Sequence, residues 1–175
     1  YLTSFTWNSD TPCFVFNVGE TGVAEAASHE VGHTLGLYHD GDSTQEYYPG
    51  YGSGPTGWAP IMGVGYYQQL VQWSQGEYPD ANNQEDDLAI ITTNNGFNYR
   101  PDDHGNTLAT ATRLTGVGNV SGAGIIERGT DVDYFSFNSG GGAVTLDIRP
   151  FYRSPNLDIS ATLYDSSGNA ITTSN

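Results

Sequence analysis

The chain contains no lysine, one cysteine and one methionine among its 175 residues. No apolar run approaches the ~20 residues that a membrane-spanning helix needs. All five basic residues are arginine (Arg100, Arg113, Arg128, Arg149 and Arg153), set against 20 acidic ones, so the formal net charge is 5 − 20 = −15. Such a surface repels phosphate backbones and anionic lipid. Nucleic acid and membrane surfaces are therefore excluded as expected partners, and metal cations are favoured. With Cys13 alone, no disulfide closes within these residues. Cys13 reads either as a small buried hydrophobe or as half of a bridge to sequence upstream. Its setting in CFVFNV reads as a buried strand, which argues against a catalytic thiol. The opening YLTSFTW has no basic segment followed by an apolar one, so no signal peptide is visible.

Hydrophobic residues make up 37% of the chain and aromatics 13%, enough for a packed core. Two regimes meet near residue 100. In the first, Leu2–Trp7 and Cys13–Val18 read as strands around the turn-forming NSDTP. Ala24–Leu37 reads as a helix, with Gly36 and Gly41 near its end. Residues 41–65 are rich in glycine and proline and read as loop. Tyr66–Trp73 reads as a short helix, and Glu85–Thr92 as a stronger one that Asn94–Gly96 stops. In the second regime a brief helical stretch, Thr107–Leu114, precedes short alternating runs at Asp133–Asn138, Ala143–Ile148 and Leu157–Tyr164, with ITTSN beginning another. That is the pattern of an antiparallel β-sandwich.

The most informative stretch is His29-Glu30-Val31-Gly32-His33-Thr34-Leu35-Gly36-Leu37-Tyr38-His39-Asp40. On a helix His29 and His33 lie one turn apart on one face. Two imidazoles so placed reach one Zn²⁺ at ~2.0–2.1 Å. Gly36 tolerates positive φ, and a turn there brings His39 round as third ligand. Three neutral ligands leave a fourth position open, the catalytic rather than the structural arrangement. Glu30, one residue off the ligand face, is placed to act as a general base toward water rather than to ligate. A chance occurrence of H-E-x-x-H-x-x-G-x-x-H has an expectation of roughly 10⁻⁵ in this composition.

This stretch resembles the long zinc signature of the metzincin metalloproteases, and Asp40 after the third histidine is typical of their adamalysin/reprolysin branch. Metzincins carry a methionine in a tight turn beneath the metal. Met62, the only methionine, lies 23 residues after His39. Where some members place a tyrosine two residues after that methionine, this chain has Val64. The stretches Trp73–Tyr78 and Asn82–Ile91 look like the C-terminal part of bacterial secreted members. The second regime, through GNTLATATRL, GTDVDYFSF and NLDISATLYDSSGN, resembles the bacterial pre-peptidase C-terminal (PPC) domain.

The resemblance implies an α+β metzincin-like catalytic fragment over 1–99, a linker over 100–104 and an all-β PPC-like sandwich over 105–175. It implies a secreted, extracellular zinc endopeptidase acting on protein or peptide substrates, with Asp40 supporting the ligand turn, Leu2–Trp7 as the strand beside the cleft and Gly63–Tyr67 walling a pocket. It also implies a sheet and a helix upstream, so this chain reads as part of a longer polypeptide. Asp102, Asp103, Asn106, Asp131 and Asp133 carry a calcium reading by analogy with PPC-like domains of bacterial collagenases. The competing reading is solvated acids in an acidic protein. His104 reads as surface or calcium-proximal, and Trp58, Tyr66 and Trp73 read as ordinary core. The alternative function is a non-catalytic extracellular binding or structural module with a vestigial zinc site.

Overall fold

A computed structural model of the protein describes residues 12–153 and 155–175. The expected strand Leu2–Trp7 lies outside the described residues. The chain forms two compact units: Tyr1–Phe97 with Arg149–Ile159 and Asn175, and Asn98–Ile148 with Ser160–Ser174. The residues expected to link two domains, 100–104, thus fall inside the second unit. Among the described residues, no helix is long and apolar enough to cross a membrane.

In the first unit, helix α1 spans Glu20–Thr34, starting and ending earlier than the apolar pattern implied. Gly19 at φ 81° starts it without a side-chain cap, and Glu20 complements the positive end of the helix dipole. Its end is a Schellman motif. Leu37 N–H donates to Gly32 O at 3.1 Å, and Gly36 N–H donates to His33 O at 3.2 Å. Gly36 sits at φ 95°, where a Cβ would clash with the backbone. Leu37, the residue after that glycine, is fully buried.

Strand β1 (Trp58–Pro60) pairs in parallel with β2 (Leu70–Gln72), Ala59 opposite Val71. Tyr66–Trp73 is therefore not a helix: Leu70–Gln72 within it extends as β2 and pairs with β1. The free edge of β2 is covered by Asn156. Val71 N–H donates to Asn156 Oδ1, and Asn156 Nδ2 donates to Val71 O, both at 2.8 Å. Trp58, Leu70 and Tyr78 form a buried cluster against which Tyr48 packs, its ring 4.1 Å from that of Tyr78. Helix α2 spans Asp87–Asn94, and Asp86 caps it by accepting from Ala89 N–H at 2.9 Å. Cys13–Val18 forms no strand: Phe14, Phe16 and Val18 are exposed, as is Cys13.

In the second unit, a capping box between Thr107 and Thr110 closes a single 3₁₀ turn, Leu108–Thr110. Strand β3 (Thr112–Arg113) pairs in parallel with β4 (Phe135–Ser136). Strands β5 (Ala161–Tyr164) and β6 (Ala170–Ser174) form an antiparallel hairpin with an irregularity at Leu163/Tyr164. The Asp165 carboxylate organises its turn by accepting from the N–H groups of Ser167 and Asn169. The expected strand Ala143–Ile148 is irregular and exposed.

Gly32 lies on α1 between the first two histidines. A Cβ there would fall 2.4 Å from Met62 Sδ and 3.2 Å from the Trp73 ring. Alanine gains up to ~1 kcal/mol of helix propensity, but overpacking costs about 1–3 kcal/mol. Gly32→Ala should therefore lower the melting temperature. A rise would show that Met62 can move aside without loss.

Candidate metal centre

His29 and His33 project from one face of α1, and the Schellman turn returns the chain so that His39 meets them. Ring centroids of the three pairs lie 4.8, 5.3 and 4.8 Å apart, for His29–His33, His29–His39 and His33–His39. One ligand atom from each ring lies within 4.8 Å of the other two.

The tautomers follow from the outer hydrogen bonds. His29 Nδ1 is 2.9 Å from Ile61 O and His33 Nδ1 is 2.9 Å from Leu37 O. His39 Nδ1 is 2.6 Å from Glu46 Oε1. A carbonyl or carboxylate oxygen only accepts, so each Nδ1 carries a proton, and in the neutral ring the lone pair is then on Nε2. Yet His33 Nε2 and His39 Nε2 are 3.0 Å apart. Two lone pairs at that distance repel unless a cation or a proton lies between them. Ligand nitrogens at ~2.0–2.1 Å from tetrahedral zinc lie about 3.3 Å apart, so the arrangement fits the ion. Burial is the largest cause lowering the pKa of both His29 and His33, which favours the neutral, ligating form.

Glu30 stands outside this group of three, although its charge acts on both His29 and His33. Met62 is fully buried, its sulfur against Gly32 on the underside of the helix. Asp40, 1% exposed, is held on every side. Its N–H donates to Met62 O at 2.9 Å, and its O accepts from Tyr48 N–H at 2.7 Å. Its carboxylate accepts from Ser74 Oγ–H at 2.6 Å and from Asn83 Nδ2 at 3.1 Å. The third histidine is thus tied to the methionine turn and to the segment before α2. Val64 N–H donates to Tyr48 O at 3.0 Å, which anchors the Gly63–Tyr67 segment to the same loop. Trp58 is buried, Trp73 is half-buried and Tyr66 is exposed.

Sequence reasoning missed two side chains here. Glu46 engages His39, and the Tyr47 ring lies 4.3 Å from that of His39 and 6.1 Å from that of His29. Neither stands at a motif position, and only the return of the loop brings them in.

The second unit gathers Asp102, Asp131 and Asp133, and also Asp103, His104 and Asp133, with ligand atoms within 4.8 Å in each group. Asn106 sits among them with both amide ends engaged. Its Nδ2 donates to Asp102 Oδ2 at 2.7 Å, and its Oδ1 accepts from Val132 N–H at 2.8 Å. Glu127, which the sequence did not single out, joins through Asp131. Buried oxygens of Glu127, Asp131 and Asp133 have no hydrogen-bond partner. Burial, then the charges of Asp103 and Asp131, raise the pKa of Asp133. His104 is mostly buried: Nε2 donates to Ala123 O at 2.7 Å and Nδ1 pairs with Thr112 Oγ1 at 2.8 Å.

The chain matches no family model, no curated protein and no solved structure.

Asp87, fully buried behind Asp40, accepts from Ser74 N–H at 3.0 Å through Oδ2, while Oδ1 has no partner. Burial, reinforced by the charges of Asp40 and Glu85, raises its pKa from 3.8 to about 8. Such a carboxyl binds its proton more tightly folded than unfolded. Its contribution to stability is complete below about pH 4 and is lost as pH rises to about 8. Asp87→Asn keeps the acceptor for Ser74 and removes the charge. It should flatten the fall in melting temperature between about pH 4 and 8, and an unchanged slope would assign that fall elsewhere.

Proposed function

We propose that this chain carries the zinc site of a secreted metzincin-like endopeptidase, followed by a PPC-like β-domain. The observation that supports it most is the meeting of His29, His33 and His39, one ring nitrogen of each within 4.8 Å of the others, with every Nδ1–H committed to an oxygen. Bound at His29, His33 and His39, zinc would supply Lewis acidity that lowers the pKa of water toward ~7 and polarises a peptide carbonyl.

The rest of the chemistry belongs to the chain. Glu30 takes a proton from the attacking water and returns it to the leaving amine, so one carboxylate serves both halves of hydrolysis. The Nδ1–H bonds to Ile61 O, Leu37 O and Glu46 Oε1 hold the rings against rotation, and Asp40 ties the turn that carries His39 to Met62, which keeps the reacting geometry preorganised. Gly63–Tyr67, anchored through Tyr48, would wall the pocket for a substrate side chain. The substrate is an extended protein or peptide segment. The same zinc site without hydrolysis would be a binding or structural module.

Calcium is the proposed second ion, at Asp102, Asp103, Asp131 and Asp133, with Asn106 supporting Asp102. The partnerless buried oxygens of Asp131 and Asp133 support it, because buried carboxylate oxygens without donors are costly unless a cation meets them.

Glu30→Gln keeps size and hydrogen bonding but removes the base. Hydrolysis of a peptide library by the parent enzyme should fall ~10²–10⁴-fold while zinc content stays at one equivalent. Full activity would remove Glu30 from the mechanism. Zinc uptake with no hydrolysis by unsubstituted protein would favour the binding module.

Calcium at a hundredfold excess over its dissociation constant should stabilise the protein by about 2.7 kcal/mol. Melting with calcium, and with magnesium as control, checks this. Equal curves would return these residues to ordinary surface acids.

A further inference from the structure

The geometry points to Glu46 as a positioning residue that orients His39 and strengthens its hold on the metal, an assignment that rests on the zinc-site reading above. His29 and His33 are held by backbone carbonyls, which any sequence supplies. The Nδ1–H of His39 is held by a side chain, and that side chain is an anion: Glu46 Oε1 accepts from Nδ1–H at 2.6 Å. A charge-assisted bond of this kind raises the electron density at Nε2 and so the basicity of the ligand.

An exposed glutamate ordinarily contributes little, because it loses side-chain entropy and is screened by water. Glu46 is 66% exposed at the side chain. What offsets this is the loop that presents it. The Asp42 carboxylate accepts from Thr44 N–H, Thr44 Oγ–H, Gln45 N–H and Gln45 Nε2 at 2.7–3.0 Å. Asp42 N–H donates to Gln45 O at 2.9 Å, closing the turn, and Tyr48 N–H returns to Asp40 O at 2.7 Å. The turn is tight enough that a Cβ on Gly41 would fall 2.4 Å from Gln45 O and 2.5 Å from Glu46 O. Glu46 is therefore delivered by a closed loop whose two ends are tied down. Tyr47, the next residue, lays its ring 4.3 Å from that of His39. Successive residues of one loop thus both contact the imidazole, Glu46 at Nδ1 and Tyr47 through its tilted ring.

The arrangement has a functional consequence. His39 lies beyond the helix, on the turn after Gly36, and lacks the α-helical backbone that supports His29 and His33. The hold on its ring therefore comes from the loop, through the Glu46 contact at Nδ1.

The test compares zinc affinity by chelator competition in the unsubstituted chain, Glu46→Ala and Glu46→Gln. The visible spectrum of the cobalt-substituted protein reads ligand geometry independently of activity. Glu46→Ala should weaken zinc binding 10–100-fold and alter the cobalt bands, with the metal-free melting temperature little changed. Glu46→Gln retains an acceptor without the charge and should recover part of the affinity and most of the spectrum. Unchanged affinity and spectrum in Glu46→Ala, with the unsubstituted chain binding zinc, would overturn the role of Glu46 and leave the zinc site standing. No zinc uptake by the unsubstituted chain would overturn both.

Discussion

Three imidazoles are each anchored by a proton on the nitrogen that faces away from the site. That single constraint decides what the centre can hold. With Nδ1–H committed to Ile61 O, Leu37 O and Glu46 Oε1, Nε2 is the nitrogen each ring has left to offer a cation. The approach of two such nitrogens, 3.0 Å between His33 and His39, is unfavourable in isolation. A cation or a proton between the two nitrogens would remove that cost. An ion bound there would couple metal binding to folding, since ligands brought together by the fold do not form a site in the unfolded chain.

What imposes it lies behind the rings. Asp40 reaches the methionine turn through its backbone and Ser74 and Asn83 through its carboxylate, while Asp87 grips the backbone of Ser74 from the start of α2. Two carboxylates thus share one serine in the interior. Burying both is costly, and the pKa of each is raised, to about 6 for Asp40 and about 8 for Asp87. A structure that accepts this cost gains a rigid link from the third histidine to α2 through one residue. Removing either carboxylate alone leaves the serine or its partner without a hydrogen bond, so the network stands or falls together.

Local patterns were read well where near neighbours decide them. The i, i+4 histidine pair, the glycine-assisted turn after α1 and the acid-capped α2 all depend on residues within a few positions of each other. Local pattern misleads where distant partners decide. CFVFNV has the composition of a buried strand, but a strand needs a neighbour, and Cys13–Val18 forms none. Tyr66–Trp73 has an apolar spacing compatible with a helix, but Leu70–Gln72 finds β1 and extends. AVTLDI alternates as a strand should, yet lies irregular and exposed. In the second unit the acidic residues were identified by type, while the involvement of Glu127 depended on a chain reversal at Arg128–Asp131.

The sequence by itself determined the identity of the three candidate ligands, their order and the turn between the second and third. Those follow from helical period and from the freedom of glycine, both properties of a few consecutive residues. Only the tertiary structure decided which nitrogen of each ring turns inward. The acceptors for His29 and His39, Ile61 and Glu46, lie 32 and 7 residues away and are brought by the methionine turn and the closed 41–48 loop. It also decided that Asp87 is buried rather than solvated, since a carboxylate's surroundings depend on what packs over it. Residue type tells which atoms are able to ligate or titrate. Which of them do so is set by contacts among residues far apart in the chain, and no local pattern records those.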